Sequence, residues 1–157
     1  MPPSLTRRSA LPALTVVLDT QVLLRGALAR TQSLTARLYE AWRADQFVLL
    51  VSEPILAEVD AVTARPELWR QLRVTPREAR AVPLRLRRRA LLVRPGVTIR
   101  MSRDPTDDKF LECAVAGDAD YVVSADADLL SLRKVRGLPI LDPPTFWRRL
   151  SEHADHG

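Results

Sequence analysis

Asp19 stands directly behind the apolar run Val16-Val-Leu18, at the end of what reads as a buried strand. A charge withdrawn from water there costs several kcal/mol unless it is paired or binds a cation. Asp108 belongs to Asp104-Pro-Thr-Asp-Asp-Lys-Phe110, at the start of a helical pattern. Asp126 and Asp128 follow a second apolar run, in Ser124-Ala-Asp-Ala-Asp128. Glu58 borders the apolar stripe Ile55, Leu56, Val59 and Val62 and can turn inward, whereas Glu53 and Asp60 point to solvent. Each acid alone has a common structural role: Asp107 or Asp108 as a helix cap, Asp126 or Asp128 as a turn residue, Glu58 as a solvated helix acid. Gathered together they would repel, because two carboxylates ~4 Å apart interact unfavourably by about 4 kcal/mol at an effective dielectric of 20. Such a cluster needs a shared proton or a divalent cation. Its all-oxygen donors suit Mg²⁺ or Mn²⁺ better than Zn²⁺.

These acids can meet only if the fold brings them to one edge. Apolar runs predict strands at Leu14–Leu18, Phe47–Val51, Val97–Ile99, Tyr121–Ser124 and Pro139–Leu141. Helical patterns lie between them. One runs from Val22 to Ala44 with a break near Arg30–Ser33, and one starts at Ser52 with Pro54 in its first turn. Thr75-Pro-Arg-Glu78 has the residues of a capped helix start, with Pro83 expected to kink or restart the helix behind it. Thr106 or Asp107 caps another helix, a short one follows Ala127, and a last one follows Pro144. Alternating β and α elements with short, continuously apolar strands predict an α/β fold, a central parallel sheet of about five strands covered by helices on both faces. Ligands bind such sheets outside the carboxyl ends of the strands, where Asp19 and Asp126 fall.

The 157 residues predict one domain at 13–150, with residues 1–12 a flexible extension and 151–157 a disordered tail that holds both histidines, His153 and His156. No apolar run approaches the ~20 residues that span a bilayer, so no membrane partner is expected. The single cysteine, Cys113, lies in an apolar helical pattern and fits a buried thiol in a cytoplasmic protein. Arginine outnumbers lysine 22 to 2. Residues 65–103 hold twelve Arg against two Glu, and residues 104–128 hold eight acids against one Lys. A basic flank beside an acidic cluster suggests a phosphate-rich partner brought to a cation site.

The stretches Val16-Val-Leu-Asp-Thr-Gln21, Val51-Ser-Glu-Pro-Ile55, Asp104–Leu130 and Leu138–Leu150 together resemble the PIN domain (named from the PilT N-terminus), over about residues 15–150 and in the family's order. The likeness is nearest to toxin components of bacterial toxin–antitoxin systems. It implies a three-layer α/β/α fold and a Mg²⁺- or Mn²⁺-dependent endoribonuclease that cleaves single-stranded RNA by activated water, leaving 5′-phosphate and 3′-hydroxyl ends. It further implies catalytic acids at Asp19, Glu58, Asp108 and Asp126, the metal resting on Asp19, Asp108 and Asp126. Asp107 and Asp128 would support them, and Ser124 would stand at the family's hydroxyl position. Gln21 replaces the family's usual Asn. Expected partners are RNA, a cognate antitoxin and a second copy of the chain.

Gln21 also argues against a phosphatase of the D-x-D type, which needs an acid at that position. The five scattered glycines build no phosphate loop. Two other classes stay open: a PIN-like RNA-binding module with impaired catalysis, and a structural partner-binding domain whose acids pair with the arginines. For the nuclease, Arg85, Arg87, Arg88 and Arg89 are expected to guide RNA, with Arg85 and Arg88 outward and Arg87 and Arg89 flanking the buried stripe.

Overall fold

The computed structural model describes residues 12–96, 98–100 and 104–156. Among these residues six strands form one sheet: β1 (Thr15–Leu18), β2 (Val48–Val51), β3 (Leu91–Leu92), β4 (Tyr121–Val123), β5 (Lys134–Val135) and β6 (Leu138–Leu141), in the order β3-β2-β1-β4-β6-β5. All pairs are parallel except β5 with β6. Among the described residues eight α-helices cover it as a three-layer α/β/α sandwich: α1 (Thr20–Ala27), α2 (Leu34–Arg43), α3 (Glu53–Thr63), α4 (Pro66–Leu72), α5 (Pro76–Arg89), α6 (Asp108–Ala116), α7 (Ala127–Leu132) and α8 (Pro143–His156).

Strand β1 is central because Val16, Val17 and Leu18 are apolar in succession and so suit burial on both faces; all three are buried. It pairs with β2 on one side, Val16 opposite Leu49, and with β4 on the other, Leu18 opposite Val123. The chain leaves β1 toward β2 and later returns to its other side as β4. The carboxyl ends of β1 and β4 thus form the switch point where α/β sheets bind ligands.

Local chemistry sets the helices. Ser33 and Ser52 cap α2 and α3, accepting from Ala36 N and Ile55 N. Thr75 and Glu78 form a reciprocal capping box at α5, which runs through Pro83 without interruption. Gly26 lets α1 close on α2: a Cβ there would lie 2.4 Å from Thr35 O. Helix α8 is fastened to the sheet by Phe146, whose ring meets Phe47 and Tyr121 edge-on at 5.3 and 6.0 Å. Cys113 is fully buried, and burial pushes its thiol up to about 12, so it acts as a core residue.

Several expectations differ. The expected strand at Val97–Ile99 is not formed by Thr98 and Ile99, and Val97 lies outside the described residues. The strand beside β2 is instead Leu91–Leu92, reached directly from α5. Residues 151–156, expected to be disordered, continue α8, and His153 Nε2 lies 2.7 Å from Pro12 O. Most of the expected extension, residues 1–11, lies outside the described residues. Helix α4 corresponds to no element expected from the apolar pattern. Trp69 ties it to the end of α3 by donating to Thr63 O at 2.8 Å.

Candidate active site

A cleft of about 590 Å³ opens at the carboxyl ends of β1 and β4. Asp19 enters it from β1, Glu58 from α3, Asp104 and Asp107 from the turn before α6, and Asp126 from the loop after β4.

Asp19 has one carboxylate oxygen on each of two tasks. Its Oδ1 caps α1 by accepting from Val22 N at 2.8 Å. Its Oδ2 accepts from Ser124 Oγ at 2.5 Å and Ala125 N at 3.2 Å. These partners explain how a charge survives behind a buried strand. Burial raises the Asp19 pKa and nearby Asp126 adds to it, while the bonds from Ser124, Val22 and Ala125 oppose the rise. Ser124 is fully buried, and its hydroxyl also accepts from Asp126 N at 2.9 Å. One hydroxyl therefore fixes Asp19 and Asp126 relative to each other.

At the start of α6 the acid that reaches the cleft is Asp107, expected as a supporting residue, from the turn before the helix. Asp107 lines the cleft; Asp108 is buried and lines an adjacent cavity of about 370 Å³. The reason lies in Asp104-Pro105. Asp104 accepts from Thr106 N at 3.0 Å and starts a 3₁₀ turn, Pro105–Asp107, before the α-helix begins. In a 3₁₀ turn residues i and i+3 eclipse, so Asp104 and Asp107 face the same way. Burial, then the closely facing Asp126 carboxyl, then Asp104 push the pKa of Asp107 up to about 7, against the pull of Lys109. The Asp107–Asp126 pair is a two-carboxylate site that favours one proton.

Glu58 turns inward as its stripe position suggests. Its carboxylate is held by Lys109 Nζ at 2.7 Å and by the Thr20 hydroxyl. Nothing in the sequence marks Lys109 as the partner of Glu58, because fifty-one positions separate them along the chain. Gln21 is exposed on α1 and lines the cleft. Asp128 sits in the first turn of α7, and the cleft lining does not include it.

The arginines of α5 lie elsewhere. Arg85 donates to Tyr39 Oη at 2.6 Å and packs over that ring. Arg87 pairs with both oxygens of Asp60 at 2.8 and 3.1 Å, and Arg89 donates to Arg43 O at 2.8 Å. Arg88 is exposed. None of the four lines the acidic cleft.

Among the described residues no group of three or more His, Cys, Asp or Glu is gathered tightly enough to hold a metal ion. The donor chemistry still fits a hard divalent cation. Every candidate donor is oxygen, and Asp107 and Asp126 carry a charge conflict that a cation would relieve in place of a proton.

The three-layer α/β/α fold thus brings carboxylates from separate elements together at the switch point of its sheet. The chain belongs to the PIN domain family, whose model matches residues 15–128, from β1 into α7 and across every acid of the cleft. Such domains are generally nucleases and typically use divalent metals. No curated protein matches the chain. Among the described residues no helix is long and apolar enough to cross a membrane.

Proposed function

We propose that the chain is a Mg²⁺- or Mn²⁺-dependent endoribonuclease of the cytoplasm that cleaves single-stranded RNA as the toxin of a toxin–antitoxin pair. The observation that carries this reading is the facing of Asp107 and Asp126 beside Asp19, three carboxylates from separate elements on one cleft. Asp107 and Asp126 would hold the ion, with Asp19 beside them, and Asp107 replaces Asp108 in this role. When bound, the ion supplies an acidified water and neutralises charge on the scissile phosphate. The chain's own residues do the rest. Ser124 holds Asp19 and Asp126 in register, and Lys109 with Thr20 keeps Glu58 at the cleft wall as a second-line carboxylate. The likeness to toxin components supports the cellular role, and a cognate antitoxin and a second copy of the chain are its natural partners.

The test is incubation of the purified chain with a mixed RNA pool in Mn²⁺, Mg²⁺ or EDTA. Cleavage that requires metal and disappears in Asp107→Asn and Asp126→Asn is expected. Metal-independent cleavage, or full activity in both variants, would overturn the assignment. A second reading, RNA binding with impaired catalysis, is favoured by the exposed Gln21 where the longer amide stands. Salt-sensitive binding without cleavage in any metal would select it.

A further inference from the structure

The acidic cleft has a second wall that carries two arginines, with Glu67 of α4 also lining it. Helix α1 turns Gln21, Leu24 and Arg25 toward it, at the three- and four-residue spacing of one helix face. Arg65 enters from the start of α4, and half-buried Leu68 and Leu72 from that helix line the same wall. Among the described residues neither the Arg25 nor the Arg65 side chain has a hydrogen-bond or ion-pair partner, although both share a cleft with six carboxylates, Glu67 of α4 among them. On α5 the guanidinium groups of Arg85, Arg87 and Arg89 are satisfied by the protein itself. A guanidinium left free beside an apolar wall matches a phosphate oxygen with a base or sugar lying alongside.

The geometry points to Arg25 and Arg65 as the phosphate-binding residues of the substrate channel, which carries single-stranded RNA between α1 and α4 onto the acids, and not along α5. This rests on the nuclease reading. The strand's phosphates next to the scissile one are held by the two guanidinium groups, and Leu68 and Leu72 offer an apolar surface to the nucleotide between them. Gln21 faces the same space and can donate or accept along the strand.

The experiment measures binding of a labelled oligouridylate with Ca²⁺ present, across a salt series, for the wild type, Arg25→Gln/Arg65→Gln, Arg25→Lys/Arg65→Lys and Arg88→Gln. The Gln double variant is expected to bind roughly tenfold more weakly, with its log–log salt slope reduced by about 1.4, or 0.7 per lost phosphate contact. The Lys variant should recover part of the slope, and Arg88→Gln should match the wild type. The Mn²⁺-induced rise in melting temperature should be unchanged in all variants, which also reports that they fold. Unchanged affinity and slope in the Gln double variant, or a loss confined to Arg88→Gln, overturns the channel while leaving the nuclease reading intact. A wild type that does not bind the oligouridylate overturns both.

Discussion

Ser124 has a single hydroxyl that bonds two acid-bearing segments at once. Ser124→Ala removes the donor to Asp19 and the acceptor for Asp126 N, leaving buried polar groups short of partners. The expected loss is about 1–3 kcal/mol in chemical denaturation, together with most of the cleavage activity. Ser124→Thr, which keeps the hydroxyl, should retain both better. Asp107 carries a sharper signature. Its folded pKa, near 7, lies above the ordinary carboxylate value, so the folded state binds the extra proton. Stability from this group is therefore full below the unfolded pKa and lost as pH rises through about 7. Asp107→Asn should remove that slope and raise the metal-free melting temperature at pH 8. A gain of ~1 kcal/mol, the shift discounted for a partly exposed pair, corresponds to about 2–4 °C. Equal pH dependence in wild type and variant would refute the shared-proton pair. That Asp19 and Asp126 would share the cleft at the strand ends was legible, because each follows an apolar strand. The choice between Asp107 and Asp108 was not, because it depends on whether the turn begins as 3₁₀ or α.

Among the elements, the β5–β6 hairpin shows a local compromise. Its two linking residues, Arg136 and Gly137, both have positive φ, at 52° and 79°. Two-residue loops of that kind favour Asn-Gly, because a Cβ is disfavoured in the left-handed region. Arg136→Asn should stabilise the chain by about 0.5–1 kcal/mol without altering RNA cleavage; a decrease in stability would mean that the arginine makes up the difference elsewhere. At the α1–α2 contact the sign reverses. Gly26→Ala places a methyl against the Thr35 carbonyl, which is backbone and cannot swing aside. A loss of roughly 1–3 kcal/mol is expected, with reduced activity, since α1 carries the cap formed by Asp19. Periodicity revealed α1, α2, α3 and the capped start of α5. It could not reveal α4, which buries no residue, or the two-residue strands β3 and β5. Nor could it show that Arg87 would meet Asp60, since helix spacing says nothing of partners on another helix.

At the scale of the whole molecule, the two halves of the cleft rest on unequal foundations. The carboxylate half hangs from β1, which has a strand on each side, and the Asp19 N–H is itself bonded to Val123 O at 3.0 Å. The guanidinium half hangs partly from α4, a seven-residue helix without a buried residue. Hydrogen–deuterium exchange should separate them. The amide protons of Asp19 and Val123 can be lost only when the whole sheet opens, whereas those of α4 need only a local excursion and should exchange orders of magnitude faster. The molecule then resembles a vice with one fixed jaw and one that yields. If the proposed channel holds, an RNA strand would enter by the movement of α4 while the carboxylate jaw stays still, and substitutions that tighten α4 would slow entry before they touched the reaction.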